Sequence, residues 1–412
     1  MRDRPRVLLL TQWFDPEPTF KGLVFARELV RQGFDVEVVT GFPNYPGGKV
    51  YAGYKIKLIQ RECIDGVQIT RLPLYPNHDQ SAIKRVINYA SFATSALFYG
   101  LFIAKRMDVM YAYHPPLTVG VAASLIRMLR RTRLVYDIQD MWPDTLRATG
   151  MLNNPRALRF VARVCDWIYC RVDQLVVLSP GFKRLLVQRH VPESKIEVIY
   201  NWADESALTS PSGDLPANFP SDDRFKIVFA GNMGKAQSLD AVLDAALLLQ
   251  SRGSLVCFVM LGGGVEVGRL KARSQEMALK NVVFLPAAPM TEVGTILGAA
   301  DALLVHLKKD PLFEITIPSK TQAYMAVGKP LLMAVNGDAA DLVKLCNGGL
   351  TVGSENPAEL ADAAQRLADM CTFELEAMGN RARQFYQEHL SLEVGASRFG
   401  DIFKALVNRV KG

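Results

Sequence analysis

Ile227-Val-Phe-Ala-Gly-Asn-Met-Gly-Lys-Ala-Gln-Ser-Leu-Asp240 is the stretch whose reading decides the fold. Ile227 to Ala230 are strand formers, Gly231 to Lys235 make a tight turn, and Leu239, Val242, Leu243, Ala246 and Leu247 recur at helical spacing. A strand, a glycine loop and a helix start follow one another. Such a loop is expected to leave backbone N–H groups unpaired at the positive end of a helix, where they suit a phosphate or diphosphate, and Lys235 adds a formal charge. Glycines also serve plain turn geometry, so the loop takes its meaning from its surroundings.

Downstream, Leu255 to Leu261 is a second strand running into Gly262-Gly-Gly264, and Val282 to Leu285 ends at Pro286. Ala302 to His306 follows, then a loop with Glu314, Ser319 and Lys320 ahead of a helix from Thr321 to Val327. Gly328-Lys-Pro330 ends that helix and feeds the strand Leu331 to Val335. Two glycine-bearing strand ends and two lysines, Lys235 and Lys320, thus gather on one face of a doubly wound sheet. Together they suit a nucleotide diphosphate.

Upstream the same rhythm holds. Val7 to Thr11, the loop 13–22, a helix from Leu23 to Gln32 ended by Gly33, and Val36 to Thr40 form a βαβ unit. Ligands of such sheets sit at the carboxyl ends of the strands, which makes Lys21 and Gly22 candidates to approach a substrate. Residues 58–75 read as a hairpin around Asp65-Gly66. Asp108 to Ala112 is a strand that delivers His114, and Leu134 to Ile138 leads through Asp137 to Asp140, Trp142 and Asp144. A histidine and carboxylates at strand ends suit orientation of a sugar hydroxyl or acid–base work. Asp144, after Pro143, is also well placed to cap a helix.

A chain of 412 residues is too long for one ordinary core. Residues 205–224, rich in Ser, Pro and Asp, read as a linker between an N-terminal domain, 1–204, and a C-terminal domain, 225–387. The expected class is α/β, with two Rossmann-like doubly wound parallel-sheet domains facing a cleft. Hydrophobic content of 49% with 22% charged residues excludes a disordered chain. Six scattered cysteines without a CxxC pair fit reduced thiols, and the opening Arg-Asp-Arg-Pro-Arg runs straight into a strand too short for a signal-peptide core. A cytoplasmic location is therefore expected.

Residues 1–200 hold 28 Lys and Arg against 17 Asp and Glu, whereas 201–412 hold 20 against 24. The basic half suits an anionic membrane or a phosphorylated substrate. No helix-turn-helix, zinc spacing or ribonucleoprotein signature accompanies it, so no nucleic-acid partner is expected. Between Ser81 and Arg106, Lys84, Arg85, Lys105 and Arg106 bracket Tyr89, Phe92, Phe98, Tyr99 and Phe102. The uncharged run carries Asn88, Ser91, Thr94, Ser95 and Gly100, which argues against a membrane span. Two readings stay open, an interfacial helix and a core helix.

Val198-Ile-Tyr-Asn201, Phe229-Ala-Gly-Asn-Met-Gly-Lys-Ala-Gln237, Asp301-Ala-Leu-Leu-Val305 and Ile317-Pro-Ser-Lys-Thr-Gln-Ala-Tyr-Met-Ala-Val-Gly-Lys-Pro330 resemble the family 4 retaining glycosyltransferases of the GT-B fold. Within that family the chain is similar to bacterial enzymes of surface polysaccharide assembly that transfer an acetamido sugar such as N-acetyl-L-fucosamine. The resemblance implies transfer from a UDP-sugar to an undecaprenyl diphosphate-linked saccharide in O-antigen or capsule synthesis, at the inner face of the cytoplasmic membrane. It also implies retention, with no metal and no cofactor, and a C-terminal helix, about 388–412, that packs back on the first domain.

Carried over residue by residue, the resemblance puts donor contacts on Gly231, Asn232, Gly234, Lys235, Gly262, Gly263, Pro286, Ser319, Lys320 and Gln322. Catalytic roles fall to Asp140, His114, Lys235 and Glu314, and acceptor-side roles to Lys21, Gly22, Asp137 and Trp142. The family's diphosphate-binding Arg and Lys are replaced by Asn232 and Gln237, with Lys235 as substitute. Its paired glutamates fall on Ile315 and Ala323, leaving Glu314 one residue off and Lys320 to grip phosphate. A dinucleotide oxidoreductase would need GxGxxG after the first strand, which is missing. A non-catalytic nucleotide-sugar or membrane-binding protein would keep the glycine loops without the acceptor-side cluster, and a nucleotide-sugar-modifying enzyme such as an epimerase is a more distant alternative.

Overall fold

The computed structural model describes residues 4–77, 82–209 and 213–411; Ser81, residues 210–212 of the expected linker and Gly412 lie outside them. The chain divides into two compact units, residues 1–200 with 393–412, and residues 201–392.

Strands β1 (Arg6–Leu10), β2 (Asp35–Gly41), β3 (Gln60–Ile64), β4 (Val67–Leu72), β5 (Val109–Tyr113), β6 (Arg133–Ile138), β7 (Gln174–Val177) and β8 (Ile196–Val198) form the sheet of the first unit. Across the sheet they lie in the order β3-β4-β2-β1-β5-β6-β7-β8. All neighbours are parallel except β3 and β4, the hairpin that Asp65 and Gly66 turn with positive φ of 52° and 82°. β1 and β5 are buried along their whole length, as strands covered by helices on both faces must be.

The last helix, Leu392–Lys411, completes this unit. Its Phe399 ring stands edge-on to Phe25 and Tyr111 at 5.2 and 5.5 Å between centroids, and Phe403 packs on Phe34. The helix Ala82–Phe102 has a buried face, as the core reading expects, and an exposed one. Phe92 and Tyr99 are buried, while Val86, Phe98 and Phe102 are exposed. Among the described residues, no helix is long and apolar enough to cross a membrane.

The second unit holds β9 (Phe225–Ala230), β10 (Val256–Leu261), β11 (Val282–Leu285), β12 (Ala302–His306), β13 (Leu331–Ala334) and β14 (Gly349–Val352). They lie in the order β11-β10-β9-β12-β13-β14, all parallel. Residues 205–209 form a short helix within this unit, where the Glu205 carboxylate accepts from Tyr386 Oη and Leu392 N–H at 2.7 and 2.9 Å.

Candidate functional site

In each sheet the strand order reverses once beside the first strand of its unit, between β1 and β5 and between β9 and β12. The loops leaving those strands flank the crevice where open α/β sheets take ligands.

In the second unit the turn after β9 and the turn after β10 are built as one piece. Gly262 has φ +137°, and a Cβ there would run into the Gly231 carbonyl, so only glycine lets the two backbones touch. Gly231 N–H donates to Leu261 O at 2.9 Å and Met233 N–H to Gly263 O at 2.6 Å. The Gly234 N–H is taken by Gln237 Oε1 at 3.0 Å. The expectation of unpaired amides at a helix end is therefore corrected. A 3-10 turn, Lys235–Gln237, and left-handed Ser238 intervene, and the helix begins only at Asp240. The Asp240 carboxylate is held by Arg269 and Arg273, which depresses its pKa to about 2.

The turn is clasped from β12. His306 is fully buried at the end of that strand and its Nδ1–H donates to Gln237 O at 2.6 Å, since a carbonyl can only accept. Lys308 N–H donates to Ala236 O at 2.8 Å, and Glu355 accepts from Ser238 Oγ at 2.5 Å and Lys309 N–H at 2.9 Å. Gln237, where the related pattern has a cation, is thus occupied in holding the loop.

Lys320 lies in the first turn of the helix Ser319–Val327. Its ammonium is buried with no hydrogen-bond partner among the described residues, 3.6 Å from the centre of the Phe229 ring. It stands 3.6 Å from where a Cβ on Gly231 would be. Burial lowers its pKa to about 7. Burial also lowers that of His306, and the charge of Lys320 acts in the same direction.

Lys235 and Asn232, by contrast, are exposed, as are Ser319 and Pro286. Gln322 is buried and its amide nitrogen faces Pro318 O and Ser319 O at 2.8 and 3.2 Å, so it fixes the helix start. Glu314 ends the short helix Pro311–Glu314, and its backbone packs against Gly337. Gly231, Gly262, Gly263 and Lys320 are brought together. Pro286 follows directly on Leu285, whose carbonyl accepts from Gly262 N–H at 3.1 Å. The sequence reading missed His306 and Tyr324, whose hydroxyl accepts from Ala230 N–H at 2.8 Å and ties the Lys320 helix to β9.

In the first unit several candidates turn inward. Gly22 is buried and the Asp15 carboxylate fills the space beside it, accepting from Leu23 N–H at 2.6 Å. The glycine serves the chain's own aspartate at the start of the helix Leu23–Arg31. Lys21 is buried 5.2 Å from the Phe399 ring centre; burial lowers its pKa to about 8, and the Asp137 charge opposes that shift. Asp137 accepts from Tyr111 Oη and Gln139 Nε2, both at 2.6 Å, and burial raises its pKa.

His114 N–H donates to Asp137 O at 3.0 Å, and its ring stands edge-on to Tyr136 and Trp142. Burial drives its pKa to about 3, so the imidazole is neutral, and Nδ1 has no partner among the described residues. Asp140 lies in the loop after β6, with its pKa raised by burial. Asp144 is corrected: Pro143 takes the cap position, and the Asp144 carboxylate pairs with Arg189. Fully buried Arg71, also missed, donates to Asp15 O at 2.6 Å and pairs with Glu62 at 2.6 Å, fixing the loop after β1.

Residues 23–202 match the model of the glycosyl transferase 4-like domain, and residues 224–370 that of glycosyl transferases group 1. A probable glycosyltransferase of Pseudomonas aeruginosa is 26% identical over 313 residues, 75% of this chain and 77% of the relative. A putative colanic acid biosynthesis glycosyl transferase of Escherichia coli (strain K12) is 27% identical over 317 residues, 73% and 75% of the two chains. Among solved structures, sucrose-phosphate synthase from Thermosynechococcus elongatus has a TM-score of 0.72 at 17% identity, covering 98% of this chain and 100% of that one. Anabaena Alr3699/HepE in complex with UDP gives 0.67 at 15%, covering 97% and 100%. The structural likenesses share the two-sheet GT-B architecture.

Proposed function

The chain is a glycosyltransferase of the family 4, GT-B type, and we propose that it moves a sugar from a UDP-sugar to a lipid-linked saccharide, with retention at the anomeric carbon. The observation that carries this reading is the Lys320 ammonium, buried beside the Gly231 turn without a counter-charge among the described residues. A fold does not keep a lone desolvated cation cheaply, and a diphosphate supplies the missing anion. The turns at Gly231–Gly234 and Gly262–Gly263 shape the seat. Asn232, Lys235, Pro286, Ser319 and Gln322 border it, and the leaving diphosphate is stabilised by fixed charge and dipoles. UDP as the nucleotide is supported by the Anabaena neighbour, which is in complex with UDP and with UDP-glucose.

On the acceptor side, neutral His114 and Asp140 would meet sugar hydroxyls, with Trp142 beside them, while Lys21 and Asp137 act from below. Glu314 is the candidate carboxylate toward the donor sugar. A place in polysaccharide assembly is supported by the Escherichia coli relative named for colanic acid biosynthesis. An acetamido sugar such as N-acetyl-L-fucosamine is the first donor to test. The exposed Phe98 and Phe102 next to Lys105 and Arg106 suit peripheral docking on an anionic, cytoplasmic-side membrane.

The deciding experiment incubates the protein with UDP-, GDP- and ADP-sugars and a lipid-linked saccharide and follows nucleotide release and product. Turnover of one donor, strengthened by acceptor, is the expected result. Tight binding of a donor without turnover of any would show a binding protein instead.

A further inference from the structure

Three aromatic rings from three separate elements meet at the carboxyl end of the first sheet. Trp13 comes from the loop after β1, Tyr45 from the loop after β2, and Tyr89 from the helix Ala82–Phe102. Trp13 and Tyr45 lie 4.7 Å apart between centroids at 31°, and Tyr89 stands edge-on to Trp13 at 6.4 Å. All three are half-buried, so part of each ring faces out of the fold.

Their supports are rigid. Buried Glu17 accepts from the Asn44 and Tyr45 N–H groups, both at 2.7 Å, and Tyr51 Oη donates to Tyr45 O at 2.5 Å. Gln12, beside Trp13 in the chain, donates to Asn88 Oδ1 at 2.6 Å, which locks the Tyr89 helix to the end of β1. Gln12 Oε1 is buried with no donor among the described residues. One turn from Tyr89, Arg85 is close enough for its charge to act on the Tyr89 hydroxyl. Val86 and Ile87, between Arg85 and Tyr89 in the chain, are exposed apolar side chains.

Outward-facing rings on a hydrogen-bonded frame, a cation one helical turn from Tyr89 and exposed aliphatic side chains on the same turn offer the three kinds of surface that a saccharide, its diphosphate and its lipid need. We infer that Trp13 and Tyr45 form the stacking platform for the acceptor's sugar ring, with Arg85 holding the diphosphate that links this sugar to lipid. The inference rests on the lipid-linked saccharide reading above. Stacking suits a pyranose because its axial C–H face is apolar while its rim of hydroxyls stays hydrated. Prior rigidity of the platform limits the entropy lost on binding.

The test measures binding of farnesyl diphosphate-linked N-acetylglucosamine, of farnesyl diphosphate alone, and of UDP to the full chain by calorimetry. Trp13→Ala is expected to weaken the saccharide probe about tenfold and to leave farnesyl diphosphate and UDP within about twofold. Arg85→Gln should weaken both diphosphate probes about fivefold and flatten their salt dependence. Tyr45→Leu, whose backbone anchors are untouched, repeats the first measurement should Trp13→Ala fail to fold. Unchanged affinity for the saccharide probe in the Trp13 and Tyr45 variants would overturn the platform while leaving the transferase reading intact. If the unaltered protein turns over a UDP-sugar but ignores both lipid probes, the lipid-linked acceptor itself is wrong and the platform falls with it.

Discussion

Lys21 and Lys320 are both buried lysines, each beside a phenylalanine ring, and the two units treat them differently. Lys21 has the Asp137 carboxylate acting on it, inside a network that includes Tyr111 and Gln139. Among the described residues, Lys320 has the Phe229 face, the Gly231 turn and a neutral His306 near it and no counter-charge. The first cation is compensated by the fold, so its loss should be felt in stability. On the proposed reading, the second awaits the anion of the donor.

The sharpest way to break this contrast is Lys21→Met, which leaves Asp137 buried without its cation. It should destabilise the protein by about 3 kcal/mol in denaturant unfolding while UDP affinity stays within about twofold. A variant of unchanged stability would show that Lys21 is not structural. Lys320→Met comes next and should act in the opposite sense. UDP affinity by calorimetry should fall about 50-fold, whereas melting should rise by roughly 2–4 °C because a desolvated charge is removed. Loss of both binding and stability would return Lys320 to the fold.

The pH dependence gives a smaller effect with a definite sign. The pKa of Lys320 is lower in the folded chain, about 7, than in the unfolded one, so its penalty on stability is full below pH 7 and disappears as pH rises toward the ordinary lysine range. Donor affinity should move the other way. A UDP-sugar, whose phosphates do not titrate in this window, should bind up to about tenfold more weakly per pH unit above 7. A flat profile from pH 6.5 to 8.5 would mean that the ammonium does not meet the diphosphate. Lys235→Ala should have the least effect, about twofold to fourfold on UDP affinity, because an exposed cation is screened by water and salt.

How far the sequence reached depended on the range of the interactions involved. Strands such as Val256–Leu261 were legible because burial on both faces demands an unbroken apolar run, and the Asp65-Gly66 hairpin because its chemistry is local. β14 was missed, since Gly349-Leu-Thr-Val352 is half-buried at a sheet edge and too short to stand out. At the candidate site, the glycine turns and Lys320 were visible in their own segments. The clasp was not: His306 reaches Gln237 across 69 positions, and nothing adjacent to either announces the partner.

Lys21 and Gly22 looked like loop residues open to a substrate. Their burial is decided by Phe399, at the far end of the chain, and by Asp15. The helix Ala82–Phe102 carried both of its readings in one sequence because the exposed and buried aromatics differ only in angle around the axis. Any test of membrane docking should therefore replace Phe98 and Phe102 and leave buried Phe92 in place.

The helix that begins at Leu392 bears on the order in which a ribosome can finish this protein. Phe25 and Tyr111 are made early, but the ring that covers them, Phe399, emerges only after all of residues 201–392 have been synthesised. At about 5–20 residues per second that is on the order of ten to forty seconds, during which the nascent first sheet exposes an open aromatic socket. The second unit, continuous in the chain, can close before the first, so synthesis runs from one end while folding is completed from the other.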